Sequence, residues 1–393
     1  MKTIRITTIA MVASMLLAIS CKKETNKTSL VPPIDPDECV QGQSINNGDI
    51  IPGQYIVAYN NNIVNRMMGE EGLVNRGADV LERNNIAETK MKKVFAGEPG
   101  GFVAILSDAE ALKLKKDPDV KIVEPDRVIA LAGCFTIAQP RLITWNINRV
   151  GYGDGRGKRA WILDTGIDMD HPDLYVDPTK SRSFVTGITS PDDENGHGTH
   201  VAGIIGGLNN TIGVLGVASG ATLISLKVMG ANGQGTLSSI IEALAYINAN
   251  ATAGDVVNMS ISLEVNSPTL NEQVQNTANR GIYFSIAAGN DAKAANLYSP
   301  ANANGANIVT ISAIDSLNRF ASFSNYGNDV VDYAAPGVYI LSTYLGAQYA
   351  YMSGTSMAAP HVAGLMLLKG RALNVSGSAV NDPDGTADPI AHY

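Results

Sequence analysis

The stretch "GTSMAAPHVAG", residues 354–364, decides how the rest of the chain is interpreted. It places Ser356 between small residues, just before an apolar run with helical character. A serine at a helix start is either a cap for the free backbone N–H groups or a nucleophile that those groups serve. The second interpretation requires a base and a carboxylate elsewhere in the chain.

Composition describes a globular, acidic protein. The chain has 393 residues, of which 45% are hydrophobic and 17% charged, so it can form a sizeable core and more than one domain. Its formal net charge of −8 argues against nucleic-acid binding, which needs a basic face, and we expect no nucleic-acid partner.

The N-terminus has the features of an export signal. Lys2 and Arg5 precede an apolar stretch of about 15 residues, too short to span a bilayer, and residues 1–20 are predicted to be a signal peptide. The ending "LAISC" resembles a bacterial lipoprotein box with Cys21 as the lipidated residue. The alternative is an ordinary signal peptide followed by a chance cysteine. We therefore expect an exported protein that meets the membrane only through a lipid.

Residues 21–52 are polar and proline-rich, which predicts a linker. Cys39 and Cys134 are the other two cysteines, and an oxidising compartment permits them to pair. No cysteine follows Cys134, so disulfides do not hold the main part of the chain together.

Residues 53–131 have the pattern of a small α+β domain. "QYIVAY", "GFVAIL" and "VKIVEPDRVIAL" predict strands, "GLVNRGADVLERN" predicts a helix, and "SDAEALKLKKDP" predicts a second helix capped by Ser107. Residues 132–138 then form a short connecting region.

Residues 139–372 alternate apolar strands with helices, which predicts an α/β domain with a parallel sheet between two helical layers. In such a sheet the ligand site lies beyond the carboxyl ends of the strands. The last residues, 373–393, are rich in turn formers and predict a short polar tail.

Four polar residues stand at such positions. Asp164 follows the strand "RAWIL", Asn290 follows "IYFSIAAG", and His197 and Ser356 each enter a helix. A nucleophilic serine needs a base, and the base needs a carboxylate that fixes its tautomer. As an alternative, "HGTH" could be a metal pair of His197 and His200, although no third ligand follows at zinc-protease spacing.

The segments "ILDTGIDMDHPDL", "DENGHGTHVAGIIGGLNNTIGVLGVA", "AAGN" and "GTSMAAPHVAG" resemble the subtilisin-like serine proteases in sequence and in order. The resemblance implies that Ser356 is the nucleophile, His197 the general base and then acid, and Asp164 the orienting carboxylate. It also implies an oxyanion hole made by the Asn290 amide and the Ser356 N–H. A binding module on an inactive protease fold and a structural lipoprotein are the competing interpretations.

The same resemblance implies a substrate cleft. "GQGT", 233–236, and "MSIS", 259–262, resemble the two strands between which an extended polypeptide binds. Ser262 and Leu263 stand where the family usually has glycines, so their side chains are expected to narrow a first pocket of apolar preference. The residues expected to bind substrate are Gly233, Gly235, Ser260, Ile261, Ser262, Ala287, Ala288 and Gly289.

The loop "LNNTIGVLGV", 208–217, resembles the family's structural calcium site. Calcium prefers oxygen ligands, usually with a carboxylate. The resemblance implies side-chain ligands from Asp173, Asn210 and Gln139, and carbonyl oxygens from Leu208, Ile212 and Val214. The alternative is a surface loop without a metal.

Residues 53–131 resemble the family's inhibitory propeptide, whose final strand enters the cleft. This implies a zymogen that is cut between about residues 128 and 139. Because Gln139 should lie near the mature N-terminus, we expect the cut after Cys134, which separates the catalytic domain from the lipid and releases it.

Overall fold

A computed structural model describes residues 47–60, 69–130 and 142–393, together with the backbone of 134–137. The predicted signal peptide, Cys21, Cys39 and Gln139 lie outside these residues. Within the described ranges, no helix has the length and apolar character that a membrane span requires.

The described residues form seven α-helices and nineteen strands, with two short 3-10 helices at Glu88–Lys90 and Ala295–Leu297. The helices are α1 Glu70–Arg83, α2 Asp108–Leu114, α3 Trp145–Val150, α4 His197–Gly206, α5 Leu237–Asn250, α6 Pro268–Ala278 and α7 Thr355–Lys369. The strands are β1 Ile50–Tyr59, β2 Met91–Phe95, β3 Gly101–Ile105, β4 Val120–Ala130, β5 Cys134–Ile137, β6 Gly153–Asp154, β7 Arg159–Asp164, β8 Arg182–Ser183, β9 Ala218–Ser219, β10 Thr222–Lys227, β11 Gln234–Thr236, β12 Val256–Met259, β13 Tyr283–Ala287, β14 Ile308–Ile314, β15 Tyr333–Pro336, β16 Ile340–Tyr344, β17 Gln348–Ser353, β18 Asn374–Ser378 and β19 Pro389–His392.

The N-terminal domain packs α1 and α2 against an antiparallel sheet of order β4-β1-β3-β2. Phe102, Leu81 and Leu114 are among the side chains that fill its core. Ser107 caps α2 in a capping box with Glu110, as the sequence predicts. Strand β2 was not predicted, because "MKKVF" is short and carries two lysines on a half-exposed edge.

The main domain is a three-layer α/β structure, which confirms the predicted fold class. Its nine-stranded sheet has the order β18-β19-β15-β14-β13-β12-β7-β10-β8, and all neighbouring pairs except β18–β19 are parallel. Helices α4 and α7 contribute to the core cluster on one side, and α5 and α6 to the cluster on the other. The central strands are mostly apolar and buried because both faces of the sheet are covered.

The C-terminal segment differs from its predicted role as a short polar tail. It forms β18 and β19, and β19 extends the main sheet by pairing Ile390 with Ala334 of β15. Ile390 and Ala391 are fully buried. The strands are short and enclose a loop rich in Asp, Gly and Pro. The composition of this segment therefore did not predict that Ile390 and Ala391 are buried.

Two further pairings join the N-terminal part of the chain to the main domain. Strand β4 adds to β11, with Ile129 opposite Gly235, and strand β5 adds to β17, with Cys134 opposite Ser353. The second pairing lies close to the start of α7 along the chain, because β17 ends at Ser353 and α7 begins at Thr355.

Candidate active site

Asp164 and His197 meet at the carboxyl end of the sheet. Asp164 ends β7 and is fully buried, and His197 begins α4. The His197 Nδ1 lies 2.7 Å from Asp164 Oδ1, which also accepts a hydrogen bond of 2.8 Å from the Thr165 N–H. This contact fixes the imidazole so that Nε2 faces away from the carboxylate.

The His197 ring is buried, yet its pKa is raised above the ordinary value. Burial, the largest single influence, lowers the pKa of His197, but the charge and hydrogen bond of Asp164 outweigh it, with help from Asp193. The buried Nε2 atom has no hydrogen-bond partner among the described residues. An imidazole in this environment can take up a proton at Nε2.

Ser356 is the second residue of α7, where backbone N–H groups have no partner within the helix. Its Oγ donates a 3.1 Å hydrogen bond to the Ser260 carbonyl, and the Ser260 hydroxyl donates a 2.7 Å bond to the Ser356 carbonyl. The reciprocal pair fastens the helix start to the end of β12. A rotation of the Ser356 side chain is needed before its hydroxyl can donate to His197.

Asn290 is held by the residue that precedes the serine. Its Oδ1 accepts hydrogen bonds from the Thr355 N–H at 2.8 Å and the Thr355 hydroxyl at 2.9 Å. With its oxygen engaged, the amide presents Nδ2 as a donor. Thr355 also accepts a bond from the Gly289 N–H at 3.1 Å. We had not predicted this role for Thr355, although "GTS" places it beside Ser356.

Asp193 is a second residue that the sequence reasoning missed. Its carboxylate accepts bonds from the N–H groups of Gly196 and Thr199, at 3.1 and 3.0 Å, and from the Thr165 hydroxyl at 2.9 Å. It thereby fixes the start of α4, where a negative charge is favourable. The available signal was an acidic residue in "DENGHG", directly before a helix.

The alternative metal pair in "HGTH" is not formed. The His200 Nε2 lies 3.0 Å from the carbonyl oxygens of both Ile340 and Ala350, while His197 faces Asp164. Burial lowers the pKa of His200 to about 3. The part of the chain that is described contains no group of three His, Cys, Asp or Glu side chains arranged for a metal.

The first predicted cleft wall is strand β11, which follows Gly233. It pairs antiparallel with β4, placing Gly235 opposite Ile129. A Cβ on Gly235 would lie 2.2 Å from the Val228 carbonyl oxygen, so a glycine is required for the close approach. Strand β4 therefore already occupies this wall as an extended, paired strand.

The second wall contacts that strand through a side chain. The Asn47 amide donates to the Ser262 carbonyl at 2.9 Å, and its oxygen accepts from the Ala130 N–H at 3.2 Å. The Gly48 N–H also donates to the Val128 carbonyl at 2.9 Å. The predicted linker therefore ends too late at residue 52, because residues 47–52 already belong to the folded domain.

Most other predicted wall residues contribute backbone only. Ile261, Leu263, Ala287 and Ala288 are buried, and their side chains lie in apolar clusters. Leu263 therefore does not narrow the pocket. The Ser262 hydroxyl, by contrast, is buried without a hydrogen bond to any described residue.

The predicted calcium ligands that are described come together. Asp173 is fully buried, and burial raises its pKa. Its carboxylate accepts bonds of 2.8 Å from the Asn210 amide and from the Val214 N–H, and the Ile212 N–H donates to Asn210 Oδ1. A carboxylate and an amide oxygen are ligand types that calcium prefers. A cation would require the Asn210 amide to turn its oxygen toward Asp173.

Comparisons with known proteins agree with this geometry. Residues 158–379 match the family described as the Subtilase family, and residues 55–132 match Peptidase inhibitor I9. The M-protease of Shouchella clausii strain KSM-K16 is 38% identical over 323 residues, which cover 80% of each chain. The thermostable alkaline protease of Halalkalibacterium halodurans is 41% identical over 273 residues, covering 67% of this chain and 71% of the relative.

A solved structure supports the same assignment. The crystal structure of a cold-adapted subtilisin-like serine proteinase is 32% identical and matches with a TM-score of 0.56, covering 64% of this chain and 98% of that one. Similarity therefore extends from the sequence to the three-dimensional arrangement.

Proposed function

The chain belongs to the subtilase family of serine proteases and carries an I9 inhibitor domain, and from this premise we propose that it is an exported, self-processing endopeptidase. It hydrolyses peptide bonds through an acyl-enzyme on Ser356. The observation that carries this proposal is the buried contact of 2.7 Å between Asp164 and His197, which leaves the His197 Nε2 without a hydrogen-bond partner among the described residues.

The chemistry follows from these positions. The Ser356 hydroxyl rotates from the Ser260 carbonyl and gives its proton to His197 Nε2, while Oγ attacks the substrate carbonyl carbon. The developing oxyanion accepts hydrogen bonds from Asn290 Nδ2 and the Ser356 N–H. His197 then protonates the leaving amine. Water hydrolyses the ester in the same way, with His197 again as base.

Substrates are extended or unfolded polypeptides of many sequences, with an apolar preference in the first pocket. The pairing of β4 with β11 supports this, because the main chain supplies the hydrogen bonds and side chains matter less. The inhibitory domain is itself the first occupant of the cleft. It acts as an intramolecular inhibitor until it is cut and removed.

Self-cleavage falls between Ala130 and Cys134. Ala130 pairs with Gln234 of the first cleft wall, and Cys134 pairs with Ser353, three residues before Ser356 in the sequence. We therefore propose that the cut lies between these two paired positions. This proposal differs from the cut after Cys134 that the sequence favoured, and N-terminal sequencing distinguishes the two.

Replacement of Ser356 by Ala tests the proposal. Purified full-length Ser356→Ala protein should remain uncut, should not react with a fluorophosphonate probe, and should lose activity by more than about 10⁴-fold. The matched control is Ser316→Ala, which removes an exposed hydroxyl and should mature normally. Maturation of Ser356→Ala protein with no other protease present would contradict the proposal.

Calcium has a structural role in this proposal. Asp173, Asn210 and the carbonyl oxygens of Leu208, Ile212 and Val214 would hold the ion, with Gln139 as a further ligand. The ion would supply positive charge beside a buried carboxylate. Its binding to the folded state alone would stabilise the catalytic domain.

Export completes the proposal: a lipid on Cys21 anchors the precursor, and cleavage releases the catalytic domain. Sequencing the N-terminus of active enzyme should find a start within residues 131–134, and the activity should lie in the medium. Membrane and medium fractions are assayed with and without a reductant. If active enzyme leaves the membrane fraction only after a reductant is added, the proposed release is wrong. A Cys39–Cys134 disulfide would then tether the enzyme.

A further inference from the structure

The side chain of Ser262 crosses the space between the two wall segments that should form the first pocket. A Cβ built on Gly289, in the opposite wall, would lie 2.9 Å from the Ser262 Oγ. Gly289 has φ +110°, and the same Cβ would lie 2.3 Å from the Asn325 amide nitrogen behind it. The wall at Gly289 therefore cannot retreat to make room.

The Ser262 hydroxyl is not held in place by a hydrogen bond. It is buried and has no partner in the described ranges, whereas buried hydroxyls normally have one. The Ser262 carbonyl, by contrast, is engaged by Asn47 and faces the strand seated in the cleft. The backbone of Ser262 thus contacts the bound chain while its side chain occupies the gap toward Gly289.

The reacting residue of a substrate must enter this gap. Ser356 Oγ lies 3.1 Å from the Ser260 carbonyl, at the upstream end of the wall that contains Ser262. A side chain on the residue that forms the acyl-enzyme would pass between Ser260–Ser262 and Ala287–Gly289. The size of this substrate side chain is limited by the side chains that already occupy the gap.

We propose that Ser262 restricts the first subsite to small side chains such as alanine, and that it is the residue that sets this limit. The inference rests on the proposed function and narrows its substrate class from apolar to small. A leucine or phenylalanine side chain would have to displace the hydroxyl against a packed wall. A difference of even one methylene changes discrimination by about 10- to 200-fold.

The protein's own cleavage region agrees with such a limit. Only Leu131, Ala132 and Gly133 stand between the strand that ends at Ala130 and the strand that begins at Cys134. Two of these three residues are small. A cut after either one presents the pocket with a methyl group or a hydrogen.

The test compares peptide nitroanilides that differ only in their last residue, which is Ala, Leu or Phe. Enzyme matured from the full chain should hydrolyse the Ala substrate with a kcat/KM at least about 10-fold above that of the Phe substrate. Ser262→Gly should raise the Phe-to-Ala ratio by about 10- to 200-fold. Ser262→Ala, which keeps Cβ and removes only the hydroxyl, should raise it less.

Active sites are counted with a fluorophosphonate, so poor folding of a variant does not affect the ratio. A native enzyme that prefers Phe, or a ratio that Ser262→Gly leaves unchanged, would overturn the pocket proposal while labelling of Ser356 upholds the protease. A folded, matured chain whose Ser356 does not react would overturn both.

Discussion

The interior of the catalytic domain and its interface with the inhibitory domain are built differently. Inside, both faces of the main sheet pack against helices through two large apolar clusters. At the interface, among the described residues, four apolar side chains of the inhibitory domain join the cluster over α5 and α6, namely Ile56, Phe95, Val103 and Ile129. The catalytic interior is therefore stabilised mainly by apolar packing, and the interface between the two domains relies less on it.

Polar contacts complete the interface. Glu124 accepts bonds of 3.1 Å from the Ser267 hydroxyl and the Thr269 N–H at the start of α6. Asp126 accepts one of 3.1 Å from the Ser238 N–H at the start of α5. Carboxylates are favourable at helix N-termini, and water and protons can compete for such contacts. Hydrogen bonds to helix N-termini thus contribute to this interface alongside the apolar contacts.

The largest effect is expected from the catalytic interior. Phe284 on β13 is fully buried, and Phe284→Ala should lower the free energy of unfolding by about 3–5 kcal/mol through lost packing and a residual cavity. Denaturant unfolding in the Ser356→Ala background avoids self-digestion. The control, Leu317→Ala, removes a side chain that is 60% exposed and should change stability by less than about 0.5 kcal/mol. Equal effects would contradict the comparison.

Calcium should add a smaller contribution to the same domain. At a free concentration about 100 times its dissociation constant, a bound ion stabilises by about 2.7 kcal/mol. A chelator should therefore accelerate thermal inactivation of the mature enzyme. Asp173→Asn removes the only carboxylate proposed as a ligand, and its inactivation rate should no longer respond to the chelator. If a chelator leaves the thermal inactivation rate of the native enzyme unchanged, the proposed site holds no calcium.

The smallest effect concerns the interface and pH. Burial raises the pKa of Glu124 despite the opposing hydrogen bonds from Thr269 and Ser267. The assembled domains thus bind a proton more readily than the separated ones. The contribution of Glu124 to assembly is fully present below the ordinary Glu pKa and declines as pH rises through the raised value.

After self-cleavage, the inhibitory domain should therefore dissociate faster as pH rises through this range. Glu124→Gln should make the dissociation rate less dependent on pH. Its change across this pH range should be about two- to tenfold smaller, which is the scale of one buried hydrogen bond. The rate at which activity appears is measured at each pH relative to the parent. Glu242, whose pKa burial also raises, remains in both proteins and serves as an internal reference. Parallel pH profiles would exclude Glu124 as the titrating group.

The sequence anticipated the features that depend on local chemistry. Apolar runs predicted the strands of the parallel sheet, and polar residues at their ends predicted Asp164 and Asn290. Motif order identified His197 and Ser356. These signals are strong because each residue must occupy a strand end or a helix start, which neighbouring residues in the chain define.

Other features could not be anticipated because they depend on contacts between distant residues. Asn47 meets Ser262 across 215 positions of sequence, and nothing near Asn47 indicates that its amide bridges a cleft. Asp193 and Thr355 support the site through hydrogen bonds that become visible only when strands and helices are assembled. Strands β18 and β19 were not predicted, because they are short and turn-forming residues surround them.

The sequence by itself determined the family, the order of domains and the residues that meet at the candidate site. The family and the site residues were inferred from the resemblance of four motifs, and the order of strands and helices from residue type and local period, which the chain carries before it folds. Only the tertiary structure decided that Leu263 turns into the core while the side chain of Ser262 turns toward Gly289. Successive residues of an extended segment point to opposite sides, and packing against the rest of the molecule chooses which side is the cleft.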